Sequence, residues 1–155
     1  MRYILFATVI VLGFAACKKD KFTTAPQIKF KSIKPDNAAS DLTAINMAFA
    51  PILTVHITDA EGDVGMIKGV DTTRIYIKNL SLNKLDSFDM PEGLPGTKNF
   101  QADVDINLYN TLGCRTVGPP RPRTDTIYYE VYTKDFAKNK SNVIITDKPV
   151  YYRCL

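Results

Sequence analysis

Asp59-Ala60-Glu61-Gly62-Asp63-Val64-Gly65 places three acids at alternate positions and two glycines among them. Carboxylates are hard oxygen donors, and Gly62 and Gly65 let the backbone wrap around a point, so Asp59, Glu61 and Asp63 could converge on a calcium ion. Asp71 and Asp135 are further candidate ligands if their loops reach the same end of the molecule. The segment is not an EF-hand, because the twelfth residue counted from Asp59 is Val70, where that loop needs a bidentate acid. The same residues also suit an acidic, solvated hairpin turn, and the sequence leaves both readings open.

Other chemistry is thinly represented. His56 is the one histidine, and its place on the Thr54/Thr58 face of an alternating segment fits a partly exposed structural role. No Gly-x-Ser-x-Gly occurs, and a nucleophile needs a base beside it. Asp103 and Asp105 are spaced to share one outward strand face, not to flank a cleft. An enzyme is therefore disfavoured, and no cofactor beyond a structural calcium is expected. Tyr128 and Tyr132 share the face opposite Tyr129, and Tyr151-Tyr152 follow later. Such rings could stack on sugars or anchor a protein partner, or could simply pack across strands. The absence of Trp weakens the sugar reading. The proline-rich loop after Cys114 carries Arg115, Arg121 and Arg123, which could meet anionic lipopolysaccharide or a partner's acids, or form a solvated loop held by Cys114.

The elements that must position these residues read as strands. Phe49, Pro51, Leu53, Val55 and Ile57 fall on one face of a segment whose other face carries Ala50, Ile52, Thr54, His56 and Thr58. The same period of two marks Ile75 and Ile77, then Val104, Ile106 and Leu108, then Ile127, Tyr129 and Val131. Shorter candidates are Gln27–Ile33, Lys84–Met90, Asn142–Thr146 and Pro149–Cys154. Turn signals such as Lys34-Pro35-Asp36-Asn37 and Gly118-Pro119-Pro120 separate them, and no stretch keeps a helical period. About seven short strands without intervening helices predict an all-β antiparallel sandwich.

The N-terminus gives an address. Arg2, an apolar run from Tyr3 to Ala16, and then Cys17 followed by Lys18-Lys19 have the anatomy of a signal peptide, and the run is too short for a spanning helix. Phe14-Ala15-Ala16-Cys17 resembles a bacterial lipobox. That resemblance implies removal of residues 1–16, lipidation of the Cys17 sulfur and acylation of its new amino group, giving several acyl chains and a stable membrane anchor. Lys18 in place of the inner-membrane retention Asp favours the outer membrane, on its periplasmic face or at the cell surface. Residues 17–26 then form the lipidated tether and 27–155 a single domain, large enough for its own core. The full chain carries 20 Lys and Arg against 16 Asp and Glu, and removing the signal takes Arg2 alone, leaving a net charge of +3. That is too small to argue for nucleic acid. With Cys17 lipidated, Cys114 and Cys154 remain as a pair in an oxidising compartment. Two cysteines with no nearby His are too few for zinc, so a disulfide is expected, contributing about 4 kcal/mol by the chain-entropy model.

The segments VHITDAEGDVG, TRIYIKN, DTIYYEVYTKDFAKNKSN and TDKPVYY resemble a functionally uncharacterised lipoprotein family of the Bacteroidota outer membrane with an immunoglobulin-like β-sandwich. The resemblance implies an acidic turn before the third strand and a glycine-containing turn between the last two, where this chain has Lys138. Together these readings predict a lipid-anchored, non-enzymatic binding or protein-interaction module, with an outer-membrane protein as partner. A carbohydrate-binding surface module is the alternative.

Overall fold

The computed structural model describes residues 22–42, 44–67, 71–94 and 96–155. The expected signal peptide, Cys17 and residues 18–21 of the expected tether lie outside the described residues.

Alternation of apolar and polar side chains is what a strand with one buried face requires, and the chain turns it into strands throughout. Among the described residues these are β1 (Gln27–Lys34), β2 (Asn37–Ala39), β3 (Ile52–Asp59), β4 (Met66–Ile67), β5 (Asp71–Thr72) and β6 (Arg74–Asn79). The second half adds β7 (Lys84–Asp89), β8 (Phe100–Asn107), β9 (Arg123–Ile127), β10 (Tyr129–Thr133), β11 (Ile144–Ile145) and β12 (Val150–Cys154). Eight of the twelve are five residues or longer, close to the expected seven. Among the described residues the helical pieces are two short 3-10 segments, Ala44–Phe49 and Tyr109–Thr111, and no helix there is long and apolar enough to cross a membrane.

Three principal sheets form: β1-β3-β8, β11-β10-β6-β7 and β2-β12-β9, with the β4-β5 hairpin apart. All pairings are antiparallel except β2 with β12. Leu53, Val55 and Ile57 of β3, Ile75 and Ile77 of β6, and Tyr129 and Val131 of β10 belong to one buried cluster, which Ile127, Val150 and Tyr152 of the third sheet extend. Burying each aliphatic side chain fully contributes about 1.5–3 kcal/mol. The chain is thus the expected all-β sandwich.

Two local expectations are corrected. The segment from Thr124 to Thr133 is not one strand: β9 pairs with β12 and β10 with β6, so the chain changes sheet at Tyr128. Ile127 and Tyr129 are both fully buried on either side of the switch, which keeps the alternation intact through it. Phe49, expected on the buried face ahead of Leu53, closes the first 3-10 segment and is 72% exposed.

What matters for the site is how three chain segments end together. Asp59 is the last residue of β3, and Asp135 lies just beyond β10. The N–H of Phe136 donates to the carbonyl of Asp63 at 3.0 Å, joining the two loops, and the N–H of Ala60 donates to Thr23 O at 3.1 Å. Residues 22–26 of the expected tether therefore lie along the domain, with Pro26 buried. The Asn142 side chain brackets the Ile28 peptide, accepting from its N–H at 2.8 Å and donating to its carbonyl at 3.0 Å, so the start of β1 is fastened to the same region.

Candidate functional site

Asp59, Asp63 and Asp135 each offer an oxygen within 4.8 Å of the others, the one such group of three potential metal ligands among the described residues. Local sequence explains the convergence. Asp59 continues the inward parity of Leu53, Val55 and Ile57 and is fully buried. Its Oδ2 accepts the N–H groups of Gly62 at 2.6 Å and Asp63 at 3.3 Å, which folds the loop back over the strand end. That fold needs Gly62: its φ is +73°, and a Cβ there would stand 2.1 Å from the Thr97 carbonyl oxygen. Asp135, also buried, organises the second loop by accepting the Asn139 N–H at 2.7 Å on Oδ1 and the Asn139 side-chain amide at 2.8 Å on Oδ2. Lys138 takes the left-handed conformation within that turn, φ +70°.

The electrostatics of the cluster are unbalanced. No Lys or Arg forms an ion pair with any of the three among the described residues. Burial pushes the Asp59 carboxyl up to about 6; the Gly62 N–H pulls it back, and the neighbouring Asp63 charge adds to the push. Asp59 Oδ1 and Asp63 Oδ1 are both buried without a hydrogen-bond partner. Glu61, expected as a ligand, is exposed and outside the cluster, because the Gly62 turn swings it to solvent. The backbone of Asp71 opens β5 opposite Ile67, and its side chain lies outside the described residues.

A second polar centre, which the sequence reading did not single out, surrounds Asp125. This residue is also fully buried, at the inward parity of β9. Its Oδ1 accepts Nε and Nη2 of Arg115 at 3.2 and 3.0 Å and Nε of Arg123 at 3.1 Å, while Oδ2 accepts the Arg115 N–H at 2.9 Å. Burial pushes this carboxyl up too, but the Arg115 N–H and the two guanidinium groups outweigh it and hold it at about 2. Arg123 also donates to the carbonyls of Pro119 and Arg115. Its side chain is 11% exposed and is engaged by these internal partners, unlike the solvent-facing arginine that the binding expectation describes. Arg121 remains exposed. The expected disulfide, Cys114–Cys154, with Cα atoms 5.8 Å apart, fixes the arginine loop to the last strand.

Tyr132 stands opposite Tyr76 across β10 and β6, with ring centroids 4.7 Å apart and planes within 10°. Lys140 lies 4.0 Å from the Tyr132 ring centre and Lys134 5.8 Å from that of Tyr76. A cation therefore lies close over the Tyr132 ring, and a second lies farther from Tyr76. Tyr128, at the sheet switch, is 40% exposed. His56 Nδ1 lies 2.6 Å from Asp103 Oδ1, and Thr54 donates to Asp105 at 2.7 Å, a cross-strand pattern on the outward face of β3 and β8. An apolar surface unforeseen in the sequence flanks the first 3-10 segment: Phe49, Pro35, Leu42 and Tyr151 line a shallow groove together with Arg153. No family model, curated protein or solved structure matches the chain, so its role must be read from its own residues.

Proposed function

We propose that the chain is a lipid-anchored outer-membrane lipoprotein whose sandwich domain is a non-enzymatic binding module for a protein partner. The observation that carries the reading is Cys17, which falls at the junction between the apolar run and the basic start of the mature chain, where lipobox chemistry needs it. The groove beside Phe49 supports the interaction half. A phenylalanine 72% exposed, with Tyr151 48% exposed in the same lining, is the kind of aromatic anchor that protein interfaces bury. Against the carbohydrate alternative, the Tyr76 and Tyr132 rings stack on each other and Lys140 lies over Tyr132, which takes up surface that a sugar ring would use.

The test is site-specific photocrosslinking of the full-length lipoprotein in intact outer membranes. A crosslinking residue at Phe49 should trap one defined outer-membrane protein, and the same residue at Leu85, 53% exposed on β7, should not. Loss of membrane retention in Cys17→Ser should accompany loss of the Phe49 adduct. Equal, diffuse labelling from both positions sinks the interaction reading.

A further inference from the structure

We propose that Asp59, Asp63 and Asp135 form a calcium site that clamps the loop after β3 to the turn after β10. Three observations carry this inference independently of the proposed partner.

The first is the donor set: three carboxylates, with neither His nor Cys among them, suit a hard divalent cation and not zinc or copper. The second is the pair of orphaned oxygens. Buried carboxylate oxygens are nearly always satisfied, and leaving one unpaired is costly. Here Asp59 is fully buried, yet its Oδ1 and the buried Oδ1 of Asp63 have no hydrogen-bond partner, while the remaining Asp59 oxygen is spent on the Gly62 and Asp63 N–H groups. A cation between the loops supplies what both oxygens lack. The third is preparation of the remaining ligand. Asp135 is held from behind by the backbone and side-chain amides of Asn139, the kind of outer hydrogen bonding that fixes a ligating carboxylate without exhausting its lone pairs.

The three oxygens lie within 4.8 Å of one another, close enough to share one ion. Calcium accepts oxygen ligands in flexible geometry, whereas magnesium demands a near-ideal octahedron and gives up its water reluctantly, so a site assembled from two loops favours calcium. Asp63, half-buried, gives the ion an entry from solvent, and water and backbone carbonyls would complete its shell. The site differs from the sequence expectation in dispensing with Glu61.

The experiment uses the full-length chain in detergent, stripped with EGTA and titrated with calcium chloride or magnesium chloride by calorimetry and thermal melting. Calcium should bind at one site and raise the melting temperature by about 5–10 °C at a hundredfold excess over its dissociation constant. Magnesium should bind at least tenfold more weakly. Asp59→Asn and Asp135→Asn should each abolish the shift. Because Asp135→Asn could unfold its turn, the half-buried Asp63→Asn serves as a second, milder variant, expected to weaken calcium at least tenfold with the fold intact. Absence of heat and shift up to 10 mM calcium overturns the proposal; so does a calcium shift that survives in Asp59→Asn and Asp63→Asn, since the ion would then sit elsewhere.

Discussion

Asp59 and Asp125 are both fully buried on sandwich strands, and the protein treats them in opposite ways. Asp125 receives two guanidinium groups and a backbone N–H, and its carboxyl is held at about 2. Asp59 receives backbone N–H groups alone, faces a second carboxylate, and is pushed up to about 6. The first centre is complete within the chain: the Asp125 charge is paired with two arginines and the Cys114–Cys154 disulfide fastens it. The second is left open, with two oxygens unpaired. Burial of a charge is expensive wherever it occurs, so the difference separates an ion cluster paired within the chain from one that the proposed calcium would complete.

The largest effect should come from loosening the closed centre. Replacing both cysteines, Cys114→Ser with Cys154→Ser, releases a cross-link across a sequence separation of 40 residues and should cost about 4 kcal/mol. Urea unfolding measures it, and reduction of the wild-type protein should reproduce it. A loss under 1 kcal/mol would mean that the arginine loop is held by the Asp125 cluster alone, and that the disulfide is redundant there.

Asp125→Asn comes next. The amide keeps the shape but leaves Arg115 and Arg123 without their counter-charge. Removing one partner of a fully buried pair costs about 3–5 kcal/mol; here Arg115 is 46% exposed, so about 2–3 kcal/mol is expected. The pH signature is specific. A carboxyl whose folded value, about 2, lies below its ordinary 3.8 gives stability that is fully present above about pH 4 and drains away as pH falls towards 2. Acid unfolding of Asp125→Asn should lack that limb. If wild type and variant lose stability in parallel between pH 4 and 2, other carboxylates govern acid unfolding and the contrast with Asp59 is overstated.

How much of this contrast was written in the chain depends on parity. The inward faces of β3, β6, β8 and β10 follow from Leu53, Ile75, Val104 and Val131 at alternate positions, and the acidic loop announces itself by composition. Asp125 was legible too: it shares the parity of Ile127 and has Arg123 two residues before it, and an acid on an apolar face beside a cation is the signature of a buried pair. The convergence of Asp59 with Asp135 required the two sheets to end together, a long-range fact that local alternation does not encode. Glu61 misled because alternate acids look equivalent until Gly62 takes a positive φ and turns one outward. The sheet switch at Tyr128 was hidden for the opposite reason, since Ile127 and Tyr129 stay buried through it. Lys138 was readable as the left-handed position of its turn, and the backbone obliges at φ +70°.

The smallest predicted effect has the opposite sign and sharpens the comparison most. Asp59→Asn, measured in EGTA, keeps an oxygen to accept the Gly62 N–H, removes a buried charge and its repulsion with Asp63, and offers an amide that can donate to the orphaned Asp63 oxygen. Without cation the variant should therefore be more stable than wild type, by on the order of 1 kcal/mol, whereas Asp125→Asn is less stable. A buried charge that lowers folding stability in the absence of cation is the kind of stability–function trade-off a ligand site carries. Should Asp59→Asn in EGTA lose more than 1 kcal/mol, its charge is compensated inside the cation-free fold, and the two aspartates would then serve the same structural purpose.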